Sequence, residues 1–360
     1  MGMIDPRWDD LAKILVNYST RVKAGEKVLI GMTEVETLPL VRAVYSQVVQ
    51  AGGFPQIHFD SALLGRELLN YGTADLIGRV PDLEAYGMHW ADVYIGLRGA
   101  RNPYELASIP ATRMATYRQA MGKVSALRTT ETRWVLVRVP GEPLAQQAQL
   151  SFEDTMDFFF GATLRDWQQE SERYRRLARV FAAAETVHIQ GWETDLTFST
   201  RGRQYVVGDG HINMPDGEIY SAPVDDSAEG YITFEHPGIY GGVLIDQIRL
   251  DFHAGRVVKA TARSHEDLLH EILATDEGAA RIGEFAVGTN EGIPTFFGDI
   301  LYDEKMAGTV HLALGRAYSD AGGVNQSAVH WDIVKDLRSE GLIQLDGTTV
   351  FENGTWLVEW

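Results

Sequence analysis

The sequence predicts two domains of different class: an α/β domain with a largely parallel sheet over residues 1–184, then an α+β, mostly antiparallel domain over 185–360. Three observations lead there. The 360 residues exceed the roughly 100–200 of one ordinary domain. In the first half, short apolar runs alternate with helical stretches, the pattern of a parallel sheet with crossover helices. From Val187 the texture changes to short β-rich runs divided by Gly and Asp turns.

Residues 8–18 (WDDLAKILVNY) carry apolar side chains at helical spacing, and 27–32 (KVLIGM) read as a short buried strand. Thr37 is the expected cap of a helix opened by Pro39. Its stripe is Leu40, Val41, Val44, Val48 and Val49, and it stops at Gly52-Gly53. Residues 56–59 (QIHF), a helix at 61–71, and strands at 92–97 (DVYIGL) and 134–139 (WVLVRV) follow. Ser151 with Asp154 fits a capping box, heading a long helical pattern to about Ala184 that joins the halves. Beyond the boundary near 180–186 come VHIQG, DLTFST, QYVVGDG, QIRLDF and GRVVKATA, all read as strands, with a helix at 265–274 (HEDLLHEILA). HWDIVKDL, LIQLDG and TTVFENGTWLVEW are expected to be successive antiparallel strands. There is no internal repeat and no low-complexity segment.

Composition narrows the chemistry. The apolar fraction of 45% and charged fraction of 23% are ordinary for a globular protein. A formal charge of −18 repels phosphate backbones and anionic lipid, which argues against nucleic-acid and membrane partners. The same field attracts cations and protonated amines, although solubility alone explains it as well. With no cysteine, any metal must be held by nitrogen and oxygen. No run approaches the roughly 18–20 apolar residues of a membrane span, and the acidic start, MGMIDPRWDDLAKIL, lacks a secretory signal. A cytoplasmic location is the expectation.

Phosphate-cradling loops are unsupported, because no strand leads into G-x-G-x-x-G and no G-x-x-x-x-G-K-[ST] occurs. There is no G-x-S-x-G elbow, no thiol and no HExxH. Metal or acid/base chemistry remains. Four segments of the second half concentrate potential ligands: NMPDGEIYSAP with Glu218, GEFAVGTN with Glu284, DEKMAGTVHLALGRAY with His311 and Tyr318, and GGVNQSAVHWD with His330 and Asp332. In a strand, His330 and Asp332 share one face while Trp331 packs on the other. That pair suits either a metal chelate or an Asp–His hydrogen bond. Each remaining residue has a plainer reading. Glu218 beside its turn reads as solvated, Glu284 as a cap or strand-edge residue, His311 as a hydrogen-bonded core histidine, and Tyr318 as packing. Composition and spacing lead no further than a metal hydrolase.

The ordered set of segments is more specific than any one of them. It resembles the M29 metallo-aminopeptidases, the aminopeptidase T and aminopeptidase S group, and the resemblance runs over nearly the whole chain. It begins at GEKVLI, continues through DFFFGA and GWETDLTFS, and is densest in the four ligand-bearing segments. It implies that Glu218, Glu284, His311, Tyr318, His330 and Asp332 are metal-binding positions, none of them substituted here. It further implies two divalent ions, zinc or cobalt, removal of N-terminal residues from short peptides, and a cytoplasmic homodimer with the metal in the C-terminal domain. Glu218, Glu284 and Tyr318 are the residues expected to act in catalysis. Either glutamate can shuttle the proton, and Tyr318 either ligates metal or hydrogen-bonds the reacting oxygen. The N-terminal domain is expected to shape the substrate cavity and to dimerise. Another two-metal amidohydrolase or phosphoesterase, or a non-catalytic peptide- or metal-binding protein, are the alternatives.

Overall fold

The computed structural model describes residues 5–360, so the first four residues of the acidic start lie outside the described residues. The chain forms two compact units, Met1–Arg165 with Gly210–Pro215, and Asp166–Asp209 with Asp216–Trp360.

The first unit is built on a five-stranded sheet, every strand of it parallel. Its order is Phe54–Asp60, Lys27–Thr33, Val93–Arg98, Arg133–Arg138 and Asn213–Met214. Alternation along the strands puts Val28, Ile30, Val93, Ile95, Val135 and Val137 on one face, all fully buried. Leu29 and Tyr94 look the other way, where helices Asp82–Trp90 and Ala111–Glu131 cover them through Met88, Ala91 and Val124. Helix Leu38–Gln50 buries Leu40, Val41, Val44 and Val48, while Val49, assigned to the same stripe, is exposed. Thr37 does not cap it. Its hydroxyl donates to the Glu34 carbonyl oxygen at 2.9 Å, inside a short 3₁₀ turn that already precedes the helix. Ser61 does cap its helix, accepting from the Leu63 amide.

The second unit holds two large antiparallel sheets besides the two-stranded pair Gly238–Tyr240 and Val243–Ile245. One has eight strands, in the order Arg256–Thr261, Arg249–His253, Glu229–Thr233, Thr194–Ser199, Thr186–Gly191, Leu342–Leu345, Thr348–Glu352 and Thr355–Trp356. The other has five, in the order His330–Asp336, Thr309–Gly315, Ile282–Gly288, Glu218–Ser221 and Val206–Gly208. Phe285 links them, its ring 5.0 Å from Phe198 and 6.2 Å from Phe181. HWDIVKDL therefore does not pair with LIQLDG, because the chain changes sheets between them. The tight turn there has no room for a side chain at Gly341, where a Cβ would lie 2.2 Å from the Leu337 carbonyl oxygen.

The long helical pattern after Ser151 is two helices, Phe152–Thr163 and Trp167–Ala182, broken at Leu164 and restarted by Asp166, which caps the Gln169 amide. The units divide at this break rather than at residue 184. Helix Trp167–Ala182 buries Leu177 and Phe181 within the second unit, where Phe181 meets Tyr205 and Phe285. No helix among the described residues is long and apolar enough to cross a membrane.

Candidate metal site

Strand register decides which side chains of the five-stranded sheet meet. Ala286 pairs with both His311 and Tyr220, Gly288 with Glu218, Ala313 with both Glu284 and Asp332, and Gly315 with His330. Two-residue alternation then puts Glu218, Glu284, His311, His330 and Asp332 on one face. Between them stand only small residues, Ala286, Gly288, Ala313 and Gly315, so the donors rise around a low floor. Phe285, Leu312, Leu314 and Trp331 point to the opposite face and are buried.

The resulting cluster is close. His311 Nε2 lies 3.5 Å from Glu218 Oε2, 3.4 Å from Glu284 Oε1 and 4.0 Å from Asp332 Oδ1. His330 Nε2 lies 3.5 Å from both Glu284 Oε2 and Asp332 Oδ1. Glu284 thus turns one oxygen to each imidazole. Two ligand sets share it, Glu218–Glu284–His311 and Glu284–His330–Asp332, with all donor atoms of each set within 4.8 Å of one another. Tyr318 stands at the edge, its ring 4.8 Å from that of His330 and 39% exposed.

Backbone carbonyls hold both imidazoles. His311 Nδ1 is 3.1 Å from Glu304 O, and His330 Nδ1 is 2.8 Å from Arg316 O. A carbonyl only accepts, so each Nδ1 carries a proton and Nε2 is the nitrogen that faces the carboxylates. This is the arrangement by which proteins orient histidine for a metal.

The charges are uneasy without a cation. Burial pushes the Glu284 carboxyl up to about 7, the His311 hydrogen bond opposing this and the Asp332 charge adding to it. For His311, burial alone would lower the pKa. The Glu284 hydrogen bond and the charges of Glu218, Glu284 and Asp332 outweigh it and carry the imidazole to about 10. Desolvation, then the charges of Glu284 and Asp332, hold the Tyr318 phenol above its ordinary range. Glu218 Oε2 is buried without a hydrogen-bond donor. A nitrogen-and-oxygen donor set with an orphaned carboxylate oxygen and two aimed imidazoles fits divalent metal.

Sequence reading missed two residues of the site. Glu304 joins His311 and Asp332 in a third close donor set. Lys305 is fully buried, 3.1 Å from Glu218 Oε1 and paired also with Glu304. Glu218, Glu304 and Asp216 raise its pKa well above the ordinary lysine value against the desolvation that would lower it. Both lie in DEKMAG, and the one signal was a charged triplet set against an apolar strand. Asn290, closing the GEFAVGTN segment, is fully buried and donates from Nδ2 to Asp216 O at 2.7 Å, tying down the loop that delivers Glu218. Gly217, at φ +124°, has no room for a Cβ, which would lie 2.7 Å from that of Asn290.

The sequence profile of the thermophilic metalloprotease family M29 matches residues 4–356. The chain belongs to that family. Members of it are metal-dependent peptidases, and so is this chain. It is similar to aminopeptidase AmpS of Bacillus subtilis, 28% identical over 71% of this chain and 74% of the relative. It is also similar to aminopeptidase 2 of Geobacillus stearothermophilus, 25% identical over 98% and 99% of the two chains. Among solved structures, AmpT from Thermus thermophilus superposes with a TM-score of 0.86 at 23% identity, covering 98% of this chain and 99% of that one. The fold is also that of 2,5-dihydroxypyridine dioxygenase from Pseudomonas putida, with a TM-score of 0.58 at 14% identity over 98% and 97% of the chains. The M29 fold of an N-terminal parallel sheet and C-terminal antiparallel sheets is thus shared across the chain's length.

Proposed function

We propose that this M29 peptidase is an aminopeptidase that removes N-terminal residues from short peptides with two divalent ions, zinc or cobalt. The observation that carries the reading is Glu284, whose two oxygens face His311 at 3.4 Å and His330 at 3.5 Å and so belong to two ligand sets at once. Glu218 and His311 would hold one ion, His330 and Asp332 the other, with Glu284 common to both. Two imidazoles among carboxylates favour zinc or cobalt over harder cations. The three carboxylates offset most of the charge of such a pair. When bound, the metals supply Lewis acidity, which activates water and polarises a carbonyl.

The chain's own groups do the rest. The Nδ1 anchors keep both imidazoles in one tautomer throughout. Asp332 and Glu284 attract a free α-ammonium, which is how a site built of carboxylates selects an N-terminus over an internal peptide bond. A glutamate oxygen not taken up by metal would relay the proton from the attacking water to the departing amine, and Glu218 and Glu284 are the candidates. Glu218 is less free, since Lys305 holds its Oε1. The Tyr318 hydroxyl, kept protonated by its raised pKa, can donate to the oxygen that gains charge at the scissile carbon. The same reading makes the chain a cytoplasmic homodimer.

The test is hydrolysis of aminoacyl-anilides beside an N-acetylated anilide and a phosphate ester, before and after metal stripping. The reading requires that only the free-amine anilides are cleaved, and that activity vanishes and returns with zinc or cobalt. Cleavage of the acetylated substrate or the phosphate ester at a comparable rate contradicts it. Metal binding without turnover would leave a non-catalytic binding protein.

A further inference from the structure

The first unit carries a polar cavity of its own, of about 210 Å³. It lies at the carboxyl ends of the parallel strands. There Lys27–Thr33 has Phe54–Asp60 on one side and Val93–Arg98 on the other, the point at which the sheet order reverses. Open α/β sheets bind small molecules at this position. Register sets Gly31 between His58 and Gly96, and Thr33 between Asp60 and Arg98, all on one face. The glycine is required, because a Cβ on Gly31 would lie 2.3 Å from the Tyr94 hydroxyl oxygen.

Charge is sorted within the cavity. Arg98 and Arg128 lie near enough for Arg98 to depress the Arg128 pKa, and desolvation lowers both guanidinium values. Glu84 is raised by burial, with His58 opposing the rise and the Asp60 charge adding to it. Tyr94 feels all four groups, and the strand carrying Thr33 separates Asp60 from Arg98. Yet neither arginine forms an ion pair with either carboxylate among the described residues. The Arg128 guanidinium carbon stands over the Trp134 ring at 4.5 Å and the group donates to Ser125 Oγ at 3.1 Å, while its Nε is buried with no acceptor. A site for a simple anion has no use for the carboxylates, and a site for a cation none for the arginines. Two like-charged pairs held apart, one of them with an orphaned buried donor, match a ligand that carries both charges.

We propose that this cavity binds a free α-amino acid, its carboxylate on Arg98 and Arg128 and its ammonium on Glu84 and Asp60. Met88, Met121 and Val124 give its side chain an apolar wall. The volume of about 210 Å³ leaves room for a single amino acid. The ligand would be of the class that the proposed peptidase releases, although the binding is read without any turnover.

The experiment is a thermal-shift screen of the metal-loaded full chain with the twenty amino acids, followed by calorimetry of the tightest binder. Its amide, its des-amino acid and inorganic phosphate serve as comparison probes. Arg128→Gln and Glu84→Gln should each weaken binding tenfold or more, with Arg98→Lys as a milder check should either fold poorly. The amide and the des-amino acid should bind at least tenfold more weakly than the parent, and His330→Ala should bind it normally. The proposal is overturned if no amino acid binds or if phosphate binds more tightly. It is also overturned if the pocket variants bind normally, or if binding disappears in His330→Ala, which would put the amino acid at the metal site.

Discussion

The Nδ1 of His311 lies 3.1 Å from the carbonyl oxygen of Glu304, and that contact sends Nε2 into the carboxylates of Glu218, Glu284 and Asp332. In the absence of a cation this nitrogen carries a proton, which metal must displace.

The stability of the chelated protein therefore depends on pH in a definite direction. His311 is raised from 6.5 to about 10, so the folded state holds its proton more tightly than the unfolded one. That contribution is complete below about 6.5 and is lost as pH rises through 10. Glu284, raised from 4.5 to about 7, acts the same way, its contribution falling as pH rises from about 4.5 through 7. The Tm of the chelated protein should fall between pH 6 and 10, and the Tm gain on adding zinc should grow over the same interval. Calorimetric scans across that range check this, and a zinc-induced gain that shrinks with pH would oppose it.

Glu284→Gln keeps the shape of the side chain and removes its charge. Peptidase turnover should fall about 10³-fold, within the range for loss of a general acid–base group, while circular dichroism stays unchanged. Full activity with normal metal content would withdraw Glu284 from the site.

Tyr318→Phe separates a hydroxyl donor from a ligand. If the phenol meets the developing oxyanion, kcat falls about 10²-fold while metal content stays at the wild-type level. Parallel loss of both would make Tyr318 a ligand, and loss of neither would leave it packing against His330 and Tyr220.

Asn290→Ala deletes the buried bond to Asp216 O and the acceptor for the half-buried Gly292 amide. A buried unsatisfied group costs about 1–3 kcal/mol, so denaturant unfolding should show a loss of at least about 1 kcal/mol. Because this contact positions the Glu218 loop, metal affinity should fall with it. A variant as stable as wild type would deny the bond its role.

The strand chemistry was legible because its pattern is strong. The run 27–32 falls within an observed strand and 134–139 overshoots one by a single residue, and the switch to antiparallel texture after Val187 corresponds to the antiparallel sheets. Helix Ala111–Glu131 went unread because only Ala120 and Val124 are buried along its 21 residues, too few to leave a stripe. At the site, His330 and Asp332 share a face by spacing alone. Their meeting with Glu284 and Glu218 depends on register across four strands, including the irregularity between Ile282 and Glu284, which no single segment encodes. Lys305 illustrates the remaining gap. A lysine beside two acidic residues reads as solvated, and only the assembled fold buries it completely between Glu218 and Glu304.

The most direct test of the shared carboxylate is elemental analysis of purified wild-type protein and Glu284→Ala after equilibration with zinc or cobalt. The account predicts about two divalent ions per wild-type chain, dropping to one or none in the variant. A wild-type content of one ion or fewer, or a variant that keeps the wild-type amount, would contradict it.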